Sequence, residues 1–116
     1  MKENRDFTQF QRYFKDYQKR FGLTGYKVYF KFEPIDSGFA DITVTSGEMV
    51  ATVRLNSNLP NKDKPHRDVR QSAKHEAIHL LLNRLEHRAL CRYVLAEEIY
   101  ETVEEVVFKL EELISD

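Results

Sequence analysis

The chain has a single cysteine, Cys91, and no tryptophan. One thiol can neither close an internal disulfide nor supply a paired-cysteine metal or redox site, so stability has to come from a packed core and a reducing, cytoplasmic setting is the default expectation. Cys91 itself reads as a small packing residue. With 4 glycines and 3 prolines in 116 residues, the composition excludes a collagen-like or low-complexity chain. No apolar run approaches the roughly 18 residues that a membrane helix requires. The opening Met1-Lys2-Glu3-Asn4-Arg5-Asp6 is polar and of mixed charge, without the apolar stretch of a secretory signal. There is no excess of either charge: 18 Lys and Arg against 19 Asp and Glu give a net −1, which lacks the basic footprint of a nucleic-acid binder. What remains is a chain of single-domain length, residues 1–116, whose 41% of apolar residues suffices for one core.

Periodicity places that core. Phe7, Phe10, Phe14, Tyr17 and Phe21 recur at intervals of three and four and predict a helix over residues 6–21, ended by Gly22. Alternation over residues 26–32 sets Val28, Phe30 and Phe32 against Lys27, Tyr29 and Lys31. A second strand over residues 39–45 sets Ala40, Ile42 and Val44 against Asp41, Thr43 and Thr45. Ser46-Gly47 turns it into a third, whose Met49, Ala51, Val53 and Leu55 face inward. A helix is expected to begin within residues 65–68, Pro65 suiting its first turn, and to run well past His79. Ile99, Val103, Val106, Leu110 and Leu113 mark a last helix from Ala96 to Ile114. The fold class is therefore α+β: an N-terminal helix, a three-stranded mostly antiparallel sheet, then two antiparallel helices.

The chemistry sits in the first of those two helices, at His75-Glu76-Ala77-Ile78-His79. An HExxH pentapeptide on a helix puts both imidazoles on one face, one turn apart, within reach of a single zinc ion. Ala77, Leu80, Leu81 and Leu85 line a roughly opposite face, as a buried helix requires. Glu76 then stands beside the ion, placed to accept a proton from a water made acidic by the metal. The plainer interpretation is a helix with two surface histidines and a solvated glutamate.

Two histidines leave a tetrahedral zinc short, because catalytic sites take three protein ligands and keep one position open. The HExxHxxGxxH arrangement is excluded by Leu82 and Leu85 at its Gly and His positions. His87 lies two turns beyond His79, about 12 Å along a straight helix, and His66 reaches the site only by an excursion of its loop. The last helix carries Glu97, Glu98, Glu101, Glu104, Glu105, Glu111 and Glu112, most of them a solvated face. With both helices long and a turn at residues 93–95, residues 104–110 fall level with His79. Glu105 is the preferred third ligand, then Glu104 and Glu101; Glu98 takes its place if the motif helix ends near Asn83. Tyr93, His66 and His87 are candidates for stabilising the oxyanion, none singled out by the sequence.

These residues carry a resemblance. Gly22-Leu23-Thr24-Gly25-Tyr26 leading into Val28-Tyr29-Phe30-Lys31, then Ala51-Thr52-Val53-Arg54-Leu55-Asn56, the HExxH stretch and the glutamate-rich helix together resemble small metallopeptidase-like proteins of bacteriophages and bacteria. Those are minimal gluzincins, related in plan to the minigluzincin and SprT-like groups, and the resemblance covers residues 7–114. It implies a zincin-like fold, zinc on His75 and His79, Glu76 as general base, a helix glutamate best matched at Glu105 as third ligand, and peptide-bond hydrolysis without a covalent intermediate. A signature of the NExxD type after the motif is missing. An extended peptide or protein substrate is expected along the strand ending at Leu55-Asn56, taken as the sheet edge beside the motif helix. Two other functions remain open: a zincin-fold module that binds or regulates a partner without cleaving it, and an SprT-like protease acting on DNA-associated proteins. The latter is disfavoured by the acidic last helix, although the first 35 residues are mildly basic.

Overall fold

Aromatic residues at helical spacing do form the first element, and their burial organises the rest. The computed structural model describes residues 2–113. Helix α1, Lys2–Arg20, begins four residues before the expected start and buries Phe10, Phe14 and Tyr17. Phe14 meets Phe30 edge to face, with 5.5 Å between ring centroids, a geometry worth about 0.5–1.5 kcal/mol beyond the area it buries. At the end of α1, Gly22 takes φ +70°. It donates to the carbonyl of Lys19 at 3.1 Å while Leu23 donates to that of Gln18 at 2.9 Å, so two otherwise orphaned helix carbonyls are satisfied. The buried Gln18 amide donates to the carbonyls of Leu23 and Tyr26, at 2.9 and 3.0 Å, and fixes the turn into the sheet.

Strands β1, Lys27–Glu33, β2, Ala40–Thr45, and β3, Val50–Asn56, form one sheet in the order β1-β3-β2. The sheet is mixed. β2 and β3 are antiparallel, Ile42 facing Val53, whereas β1 and β3 run parallel, Phe30 beside Val53. β3 is thus the central strand and corrects the expectation of an edge there: both of its sides are paired, leaving no free backbone for a peptide along Leu55-Asn56. Its inward Ala51, Val53 and Leu55 are fully buried, as a central strand requires. Met49 departs from the alternation. It takes a positive φ of 55° at the end of a 3-10 turn, Ser46–Glu48, and its side chain is exposed.

The parallel pairing forces residues 34–39 to cross the end of β3, and Asn56 holds them there. Its buried amide donates to the carbonyl of Gly38 at 2.9 Å, and its Oδ1 accepts from the backbone N–H of Asn58 at 2.9 Å and of Ile35 at 3.3 Å. Also on the face away from Ala51, Val53 and Leu55, Arg54 of β3 ties both neighbours together, donating to Glu33 at 3.2 Å and to Asp41 at 2.8 Å.

Helix α2, Val69–Leu90, starts after the window expected for it, because Asp68 is the better cap: its carboxylate accepts from the N–H of Gln71 at 3.0 Å. Pro65 belongs instead to a separate 3-10 turn, Lys64–His66. α2 packs against α1 and β2. α3, Ala96–Leu113, runs back along α2; Ile114, its expected last residue, lies outside the described residues. Among the described residues no helix is long and apolar enough to cross a membrane.

Replacing Asn56 by alanine is expected to destabilise the fold by about 2–4 kcal/mol in urea denaturation, since it removes several side-chain hydrogen bonds to part-buried backbone at once. A change below about 0.5 kcal/mol would show that the crossover is held by something else.

Candidate metal centre

The angular position of every side chain in the motif follows from how α2 is seated. Ala73, Ala77 and Leu80 are buried against the α1 aromatics and the sheet, and small residues at 73 and 77 let the helix approach closely. With about 100° per residue, His75 and His79 then lie on the side turned away from that seam, and Glu76 falls between the two. Both histidines are exposed, and Glu76 is 5% exposed.

The imidazoles are neighbours. Their centroids are 4.9 Å apart and their planes inclined at 72°. Two imidazole nitrogens about 2.0–2.1 Å from one tetrahedral ion put the ring centres about 5 Å apart, so this pair has the spacing that shared zinc requires. His75 and Glu76 open into a cavity of about 350 Å³ whose opposite wall is Gly38, Phe39 and Ala40, the residues that Asn56 positions, with His66 at its end.

Burial is the main influence on Glu76, raising its carboxyl above the usual carboxylate range; His75 and His79 pull it down by less, and Asp41 adds a further upward push. A proton on Glu76 is therefore held more tightly in the folded chain than in the unfolded one. In the metal-free protein this costs stability as pH rises from the unfolded carboxylate range through the folded one.

The expected third ligand is elsewhere. Glu105 of α3 accepts from Arg84 at 2.7 Å, and Arg88 pairs with Glu98 at 3.6 Å, so α3 lies along the Arg84 and Arg88 side of α2. Arg84 is nine residues from His75, about 180° around the helix. The antiparallel register anticipated from sequence brings residues near 105 to the right level but onto the wrong face. Glu101 and Glu104 are exposed on the same helix. Among the described residues no three His, Cys, Asp or Glu side chains converge closely enough to hold an ion. The structure therefore brings together two imidazoles at a spacing compatible with one ion, and a third donor is not in place.

Of the three candidate oxyanion helpers, only His66 reaches the cavity. His87 lines a separate hollow with Arg84 and Arg88, and Tyr93 is exposed in the α2–α3 turn. The wall of Gly38, Phe39 and Ala40 was not legible as part of a site, because its place depends on β2 being the edge strand. Compared with known proteins, the chain matches no family model, no curated protein and no solved structure.

Metal-free Glu76→Gln is expected to melt above the wild type at pH 8, the difference shrinking toward pH 4 in calorimetric scans. An unchanged difference across that range would mean that burial does not govern this carboxyl.

Proposed function

We propose that the protein is a zinc-dependent peptidase of zincin type, with His75 and His79 as two metal ligands and Glu76 as general base. The observation that carries this is the 4.9 Å imidazole pair with a buried carboxyl next to it, His75 and Glu76 of the three also lining a cavity. A lone HExxH on a solvated helix would leave its glutamate exposed. When bound, zinc supplies a Lewis acid that polarises a carbonyl and acidifies a water. The chain's own contributions are distinct. His75 and His79 would hold the ion. Glu76, its carboxyl raised by burial, takes the proton of the attacking water and passes it to the leaving nitrogen. β2 has a free edge beside α2, and an extended peptide pairing there is held by backbone hydrogen bonds that tolerate varied side chains. A cytoplasmic setting belongs to this proposal and rests on the single free thiol of Cys91.

One observation favours a second function. Tyr100, Val107 and Leu110 of α3 are large exposed apolar residues within one side of that helix, a surface that suits association and a module acting by binding.

Purified wild-type protein is expected to take up one zinc per chain and to lose it in His75→Ala and in His79→Ala, measured by elemental analysis. Glu76→Gln is expected to keep the zinc while peptide cleavage falls by about 10²–10⁴-fold. Zinc retained in both histidine variants would defeat the metal-centre reading, and cleavage undiminished in Glu76→Gln would defeat the peptidase reading.

A further inference from the structure

We infer that the outer face of α3 is a docking seam for a basic amphipathic helix of a partner protein; this rests on the association surface described above and does not depend on the metal centre. α3 carries more apolar residues than its contact with α2 uses. Thr102 and Val106 are its buried residues and mark the side turned inward. At about 100° per residue, Tyr100, Val103, Val107 and Leu110 fall within an arc of about 80°, centred about 100° round the helix from that buried side. Within the arc Tyr100 is 71%, Leu110 41% and Val107 37% exposed, and Val103 is partly so. Their alternating spacing of three and four is that of a helix that receives another along its length, and a single stripe would have been enough for packing on α2 alone.

Charge decides what fits. Glu98 and Glu105 are engaged by Arg88 and Arg84 on the far side of α3. Its one cation, Lys109, is turned to the end of α1, where it donates to the carbonyls of Phe21 and Gly22 at 3.3 and 3.2 Å. Glu97, Glu104 and Glu111 recur every seven residues, are exposed, and form a row along the edge of the apolar arc. Among the described residues these three form no ion pair. A helix laid in the seam brings its own flanking positions against that row, so lysine or arginine there is attracted and glutamate repelled. The same row acts against a second copy: two α3 helices paired antiparallel across a two-fold axis set Glu104 against Glu104 and Glu97 against Glu111.

The test is binding to the full chain, treated with a chelator so that zinc plays no part, of a synthetic three-heptad helix with leucine at its a and d positions and lysine at its flanks. A counterpart with glutamate in place of lysine is the control, and affinity is read by fluorescence anisotropy at physiological ionic strength. Wild type is expected to bind the lysine helix and not the glutamate one. Val107→Gln and Glu104→Lys are each expected to weaken binding by about tenfold or more, while Glu101→Lys, the same charge change about 140° round the helix from the seam, alters it by less than about threefold because salt screens it. Circular dichroism confirms that each variant is folded. Equal weakening in Glu101→Lys would reduce the effect to general attraction between opposite charges and overturn the inference. Binding of the glutamate helix that is lost in Val107→Gln would keep the association surface but overturn its assigned partner. Binding of neither helix overturns the inference and removes the association surface with it. A concentration-dependent dimer abolished by Val107→Gln would make the occupant a second copy, and overturns the inference equally.

Discussion

The close seating of α2, through Ala73 and Ala77, on α1 and the sheet is the constraint from which the site follows. Both alanines are completely buried, next to Phe10, Phe14 and Val53. Because the core fixes the rotation of the helix, it also fixes what the motif presents. A helix with buried positions at 73, 77 and 80 must carry 75 and 79 outward and 76 at the boundary. Two imidazoles are thereby left accessible to an ion while a carboxyl one residue away is shielded from water. On the proposed zinc reading, the same geometry separates two functions that a solvent-exposed HExxH would leave alike: holding a cation, and keeping a base whose affinity for protons is raised by burial.

Asn56 extends that constraint to the facing wall. The chain leaves β1 on one side of β3 and returns as β2 on the other, so an irregular connection has to pass over the end of the central strand. A buried amide with several backbone partners is an economical way to hold such a crossing, since one side chain ties the part-buried backbone on both sides of it. Gly38, Phe39 and Ala40 are held opposite His75 and Glu76 as a result, and the edge of β2 is set beside the cavity.

The elements and the two outer helices were legible in the sequence because their signals are local. The aromatic stripe of α1, the alternation at Val28, Phe30 and Phe32, and the pairing of His75 with His79 depend only on helical and strand periods. What was not legible depends on long-range choices that a period cannot encode. Alternation makes β3 inward-facing without saying that it is central, and nothing in residues 34–39 announces a parallel crossover. The misplacement of Glu105 has the same origin: hairpin register fixes the level of a residue along α2, whereas the face follows from the buried seam that places Val106 beside Leu80 and Leu81, with Arg84 and Arg88 pairing Glu105 and Glu98 alongside it. Asp68 and Pro65 show a smaller version, where two competing start signals lie three residues apart and the side chain able to accept a hydrogen bond set the boundary of α2.

The site that emerges is open and lies between an edge strand and one helix, with its shielding concentrated on a single carboxyl. X-ray absorption at the zinc edge of the loaded wild-type protein tests the central claim most directly. The account predicts a four-coordinate shell at about 2.0–2.1 Å with the multiple-scattering pattern of at least two imidazoles; an all-oxygen, six-coordinate shell without imidazole scattering would contradict it.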